Sequence, residues 1–410
     1  MTTLAANTGT KNPVPNIDDL YQPTHDELAR QRFISVLRNH AKNDMRNAMK
    51  RDYHERVAPR QAELHGREPK TAGEIEALMR DKLYYRYYSG IRYNAQEMMF
   101  LSAMDPVERA LPEMIELARD IAERRPSGGS LDIDPDFETP GYLDAMDIHL
   151  APGCFHSEYV EDDVAQGVML AHGGRVSTGA NVHRMADTGA VGRSIGYWLS
   201  QKYADFSPRR MLDIGTQSGK NLLPYLDVYP NVEAHGVDVS APALRYGHAR
   251  AEHLGKAIHF SQQRAESMRY PDGHFDLIVS SFFFHEIPFA STRQILKECF
   301  RLLSPGGIMA HMELPPSDRC DPWLNWYWDW DDQYNNEPFY AEFRAQNPTQ
   351  LLTDAGFDAT DEITTTVPSY AAANTPAYRQ VVDGEQSAPL HGRGGWFFFG
   401  AIKGRNRDSA

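Results

Sequence analysis

The sequence predicts an α/β protein: a doubly wound, mostly parallel sheet preceded by a helical N-terminal domain. Two observations carry that prediction. From about residue 181 onward, short apolar runs alternate with amphipathic ones. That is the order of parallel strands covered by helices on both faces. Before that point, long runs place apolar residues at helical spacing instead.

The elements follow in order. Residues 1–23 are polar, carry Pro13, Pro15 and Pro23, and are expected to form a flexible tail. Residues 24–180 are expected to form the helical domain. One run starts at Asp26, with an apolar stripe through Leu28, Phe33, Val36 and Leu37. A second starts near Ala72, and a third is opened by Pro106 and closed by Pro126. Pro126–Gly141 reads as a loop, MDIHLAPGCFHSEYV as a short hairpin, and HGGRVSTG (His172–Gly179) as a flexible connector or hinge. Residues 181–410 carry strands at Arg210–Gly215, Glu233–Val239, Ala257–Gln262, Phe275–Ser281 and Gly307–Leu314. GKNLLPYLDVY, APALRYGHARAEHLG and STRQILKECFRLLSPGG are the helices between them. A helix in PTQLLTDAGF and strands in DATDEITTTVP and GGWFFFGAIKG complete the domain.

Composition excludes several function classes. Hydrophobic residues make up 41% and charged residues 24%, which is globular. A formal charge of −14, with no long basic run, argues against nucleic acid and anionic lipid as partners. No apolar run is long enough to span a bilayer, so no membrane partner is expected. Cys154, Cys299 and Cys320 are far apart and lack CxxC spacing, which suits a reducing, cytoplasmic setting. The N-terminus lacks the apolar core of an export signal.

The chemistry starts at MLDIGTQSGKN. Gly215 and Gly219 lie between a predicted strand and helix, where open parallel sheets bind ligands. Glycine lets the backbone approach such a ligand closely. Asp238 ends the next strand, where a carboxylate can accept both hydroxyls of a ribose. The third glycine of a nicotinamide fingerprint would fall at Asn221 and is missing.

LDIGTQSG, GVDVS, RAESMRYPDGHFDLIVSSFFFHEI and RLLSPGGIMAHMEL follow one another in order. From about residue 205 to 315 the chain thereby resembles the class I S-adenosylmethionine-dependent methyltransferases, in their small-molecule branch. The resemblance implies a seven-stranded Rossmann-like sheet with a reversed last strand, and S-adenosyl-L-methionine as cofactor. It implies that Asp213, Gly215 and Gly219 face the methionine part and that Asp238 holds the ribose. It implies Val239 packing on adenine, Ala265 and Glu266 at the adenine edge, and Ser281 in the methyl-donor pocket. Gln217 stands in the same loop where the family usually has glycine, and Arg264 where it often has aspartate. These departures leave open a weaker cofactor site, or cofactor binding without transfer.

The acceptor side rests on three features. His285 follows the fourth predicted strand and is the candidate base, although it equally well opens the next helix. Residues 316–348 form an aromatic insertion with Trp323, Trp326, Tyr327, Trp330 and Tyr334 on one helical face. Trp326, Tyr327 and Trp330 either touch substrate or pack on the N-terminal helices. Tyr84, Tyr85, Tyr87, Tyr88 and Tyr93 either line a pocket, with Tyr88 against substrate, or form a homodimer interface. His149, Cys154, His156 and Glu158 match no common zinc spacing, so no metal is expected. The expected function is methyl transfer to an oxygen or nitrogen of a small aromatic or cationic molecule. The alternative is a chain that binds the cofactor without transferring the methyl group.

Overall fold

The computed structural model describes residues 14–178 and 189–404, and the expected domain boundary near residue 180 lies outside them. Among the described residues the strands are β1 (Ser130–Asp132), β2 (Arg210–Ile214), β3 (Glu233–Asp238), β4 (Ile258–Gln262), β5 (Phe275–Ser281), β6 (Leu303–Met312), β7 (Thr365–Pro368) and β8 (Gly395–Ile402). They form one sheet in the order β1-β4-β3-β2-β5-β6-β8-β7. Strands β1 to β6 pair in parallel, and β8 runs antiparallel to both β6 and β7. The middle strands are buried on both faces: Met211, Leu212, Ile214, Leu277, Ile278 and Val279 are all inaccessible. That double burial is why their sequences read as continuous apolar runs. The chain winds outward from β2 to β3 and β4, then reverses through β5 and β6. The loops leaving β2 and β5 therefore diverge and open a crevice at the carboxyl ends of the strands.

The sheet has eight strands where seven are expected. The eighth, β1, lies in the stretch expected to be a loop and pairs Ser130 with His259 of β4. Three mostly polar residues on a sheet edge carry no periodic signal. Gly129 is required beside it, because a Cβ there would fall 2.8 Å from the Ile258 carbonyl oxygen. The expected hairpin is a 3-10 turn, Ile148–Leu150, among irregular turns. Left-handed backbone at His149, Leu150 and Cys154 breaks strand geometry there. GKNLLPYLDVY is mostly turn and contributes only the short helix Tyr225–Val228.

The helical part is more continuous than expected. A single helix runs from Leu83 to Arg124 through Pro106 and Pro112. An internal proline costs about 3 kcal/mol, which packing of the flanking turns offsets here. Pro106 and Val107 are buried, as are Met114, Ile115, Ala118 and Ile121. HGGRVST belongs to the helix Ala165–Thr178 rather than to a connector. The first helix, His25–His40, continues through a π turn at Ala41–Met45. The aromatic helix, Pro322–Asn335, packs Trp323, Trp326, Tyr327 and Trp330 against Tyr53, Tyr85 and Tyr88. Trp326 Nε1 donates to Glu76 at 2.8 Å, and Trp330 Nε1 donates to Ser89 Oγ at 2.9 Å. Cys154, Cys299 and Cys320 are free thiols. No described helix is long and apolar enough to cross a membrane.

Residues 14–23 are not loose. Ile17 and Tyr21 are buried, and Asp18 is a hub between the N-terminal segment and two helices. Its carboxylate accepts from Tyr246 OH at 2.6 Å and lies 3.1 Å from Arg175 and 3.4 Å from Arg250. Burial alone would raise the Asp18 carboxyl. The contacts of His172, Arg250 and Arg175 more than offset it and hold the group well below the carboxylate range. Its stabilising contribution is therefore complete above its unfolded value of roughly 3.9 and is lost as the pH falls below it. Asp18→Ala is expected to lower unfolding stability at pH 7 by about 3–5 kcal/mol, because two guanidinium groups lose their buried partner. Denaturant titration at pH 7 and pH 3 checks this, since the loss shrinks at the lower pH.

Candidate functional site

The crevice beyond β2 and β5 deepens into a cavity of about 540 Å³, within the ordinary size range of small-molecule sites. Its floor is the loop after β2. Gly215, Gln217 and Gly219 all take left-handed backbone, with φ of 64°, 52° and 69°. For Gln217 that conformation costs about 1–2 kcal/mol, and glycine would adopt it freely. The loop is held by close helix contact. A Cβ on Gly192 would lie 1.8 Å from the Asn221 carbonyl oxygen, and one on Gly247 would lie 2.8 Å from Ser218 backbone.

Asp238 ends β3 and closes the loop from below. One of its oxygens accepts from the Gln217 backbone N–H at 2.7 Å, and the other accepts from the Ser240 N–H at 2.9 Å. A carboxylate has about four acceptor sites, so two remain for a ligand's hydroxyls. Asp213 is buried beside it and accepts from Thr216 Oγ1 at 2.8 Å. Burial lifts the Asp213 carboxyl to about 7. Val239, Ala265 and Glu266 continue the same wall. Tyr142 and Phe155, from the irregular segment before the helix Ala165–Thr178, cover it. Arg264 turns away and donates to the Glu138 carbonyl at 3.2 Å.

The opposite wall comes from the N-terminal helices and the aromatic helix. Arg92 is buried and meets Asp331 with two bonds, 2.6 Å and 3.2 Å. Gln96 accepts from both Arg92 and Arg38, and donates to the His149 carbonyl at 3.0 Å. His149 Nε2 lies 2.6 Å from Glu286, and Nδ1 lies 3.1 Å from Glu337. Burial opposes charge on this ring, but the two carboxylates outweigh it and lift it to about 10. The three groups could hold a metal, since their ligand atoms lie within 4.8 Å.

The sequence-predicted residues fall into two sets. Asp213, Gly215, Gln217, Asp238, Val239, Ala265, Glu266 and Ser281 line the cavity. Gly219 lies in the same loop but faces inward, with its Cβ position 2.9 Å from the Phe260 ring. Tyr88, Trp326, Tyr327 and Trp330 lie in the apolar seam between helices, away from the cavity lining. The Tyr88 and Trp330 rings sit 4.4 Å apart there. His285 is buried behind the lining, with Nδ1 2.5 Å from Glu313. Burial opposes its charge, but Glu313 and Glu286 hold the ring well above the usual imidazole range. His285 itself is not among the residues that line the cavity. Its neighbour Glu286 reaches the cavity instead.

Residues 211–307 match a family model described as a methyltransferase domain. The matched residues are those whose motifs resemble the class I S-adenosylmethionine-dependent methyltransferases. Demethylmenaquinone methyltransferase of Thermus thermophilus is 34% identical over 110 residues, which are 27% of this chain and 49% of that protein. Ubiquinone/menaquinone biosynthesis C-methyltransferase UbiE of Bartonella henselae is 28% identical over 180 residues, 40% of this chain and 68% of that protein. The solved structure of Haemonchus contortus phosphoethanolamine N-methyltransferase 2 with S-adenosyl-L-methionine has a TM-score of 0.34 and 16% identity, covering 54% of this chain and 58% of that one. The chain spans about half the length of the first curated relatives it matches. The matched segment holds the methyltransferase loop and Asp238 but none of the opposite wall's Arg38, Arg92 or Asp331. Asp238→Ala should weaken S-adenosylhomocysteine binding about tenfold or more in calorimetry, since ribose hydroxyls lose a buried charged acceptor. Unchanged affinity would displace the nucleoside from β3.

Proposed function

We propose that the chain binds S-adenosyl-L-methionine along the β2 loop and Asp238 and transfers its methyl group to an oxygen or nitrogen of a small organic molecule. The observation that carries this reading is the continuity of the cavity. One space is lined both by the methyltransferase loop and by Arg38, Gln96, Met99, Phe100 and Asn335. A donor and an acceptor can share it with water excluded. Met99, Phe100, Phe155 and Phe282 give the acceptor's body an apolar surface.

The bound cofactor supplies a methyl group already activated on a positively charged sulfur. The protein's part is to place an acceptor atom in line with it and to strip that atom of water. Glu286 is the side chain best placed to do so. Its Oε1 is held by His149, and its buried Oε2 has no partner. Burial would raise this carboxyl, but His149 and then His285 hold it far below the usual range. Oε2 thus keeps unused acceptor capacity at the edge of the cavity, and on this reading it accepts from the O–H or N–H of the molecule to be methylated. Glu286 thereby orients the acceptor by a hydrogen bond while the two histidines orient Glu286; as the methyl group leaves the sulfur and bonds to the acceptor atom, that atom's proton passes to solvent.

Incubating the protein with methyl-labelled donor and a metabolite extract tests the reading. Label is expected in a small molecule. Glu286→Gln should keep S-adenosylhomocysteine affinity while cutting labelling by about 100-fold. Cofactor binding with no label in any extract would favour a protein that binds without transfer. Absence of cofactor binding would contradict both.

A further inference from the structure

The charges on the acceptor wall do not balance. Arg92 pairs one to one with Asp331, and His149 lies between Glu286 and Glu337, so one carboxylate charge is in excess in that trio against two further cations, Arg38 and Lys42. Arg38 is only 4% exposed, yet among the described residues no carboxylate lies within ion-pair distance of it. Its guanidinium bonds only to neutral groups: the Ala95 carbonyl at 3.3 Å, the Gln96 side-chain oxygen and Ser177 Oγ at 3.1 Å. Its Nε is buried without a partner. One turn along, the π turn Ala41–Met45 carries Lys42 to the same cavity, and Lys42 has no ion-pair partner among the described residues. Such turns insert one residue per turn and re-aim the side chains that follow. Burial, then Arg38 and Arg92, bring the Lys42 ammonium down to about 8.

A buried guanidinium without a counter-ion is costly to fold around, and cavities that keep one usually do so for a ligand's charge. We propose that Arg38 and Lys42 form a receptor for an oxyanion of the methyl acceptor, a carboxylate or phosphate on an otherwise apolar body. The forked guanidinium suits either group, and the ammonium adds a second donor. The expected cationic acceptor is the opposite chemistry, and on this wall Asp331, Glu286 and Glu337 already face Arg92 and His149. The position favours the acceptor over the cofactor's own carboxylate. Arg38 is tied through Gln96 to Arg92 and the His149 carbonyl, on the wall opposite the β2 loop. The inference rests on the methyl-transfer reading for the word acceptor, but the oxyanion site stands on its own side chains.

The test titrates benzoate, phenyl phosphate and neutral benzamide into the full chain by calorimetry, with and without saturating S-adenosylhomocysteine. Benzoate or phenyl phosphate should bind, benzamide should not, and the stronger of the two anions identifies the group. Arg38→Met should weaken that anion by about tenfold or more, with Arg38→Lys recovering part of the loss and S-adenosylhomocysteine affinity unchanged. If Arg38→Met does not fold, Lys42→Met supplies the same comparison. Equal binding of the anions by wild type and variants, or no binding of either anion at millimolar concentration, overturns the proposal. A fall in S-adenosylhomocysteine affinity in Arg38→Met, with methylthioadenosine affinity unchanged, assigns the pair to the cofactor's carboxylate and also overturns it. Wild-type protein that binds benzoate through Arg38 but never binds S-adenosylhomocysteine would refute the methyl-transfer reading and leave the oxyanion site standing.

Discussion

The Arg92–Asp331 pair is the interaction on which the site depends. It joins two residues 239 positions apart and so fixes the aromatic helix against the long N-terminal helix. From Arg92 the network runs through Gln96 to Arg38 and Ser177 on one side and to the His149 carbonyl on the other. His149 in turn holds Glu286 beyond β5. The acceptor wall is therefore one connected polar structure rather than a set of loops. Removing Asp331 would strand the buried Arg92 without its counter-ion, at about 3–5 kcal/mol. The aromatic seam beneath the pair, with Trp330 on Ser89 and Trp326 on Glu76, supplies the apolar burial that makes such a network affordable.

The two halves of the cavity are built on different principles. The cofactor half is backbone: a loop in left-handed conformation, packed against glycines of two helices, with the Gln217 backbone N–H tied to Asp238. Gln217 shows how far side-chain identity can drift there. It keeps the backbone geometry that a glycine would give, at a modest cost, and its amide nitrogen still reaches Asp238. The acceptor half is side chain, with charges set by ion pairs across distant helices. A conserved fold can accept many acceptors on such a plan, because the second half changes without disturbing the first.

Legibility in the sequence follows the same division. Strands β2 to β6 could be read because double burial leaves continuous apolar runs, and the loop and Asp238 because they sit at fixed offsets from those strands. The edge strand β1 could not, being three residues long. Pro106 reads as a helix start because the packing that overrides it comes from elsewhere in the chain. The aromatic face of the insertion was legible as a face, but what it covers depends on tyrosines far away in sequence. The offset between His285 and Glu286 was not legible either. The left-handed Phe282 and the 3-10 turn Phe284–Glu286 decide which of the two faces the cavity. Arg38 and Lys42 gave no signal, since a helical arginine and lysine ordinarily mark a solvated face.

A crystal structure of the protein with S-adenosylhomocysteine tests the central claim most directly. The account predicts ribose hydroxyls about 2.7–3.0 Å from Asp238. It also predicts the sulfur directed across the cavity toward Ser281 and Glu286, with open space between it and Arg38. A nucleoside seated away from Asp238, or a sulfur facing away from Glu286, would contradict it.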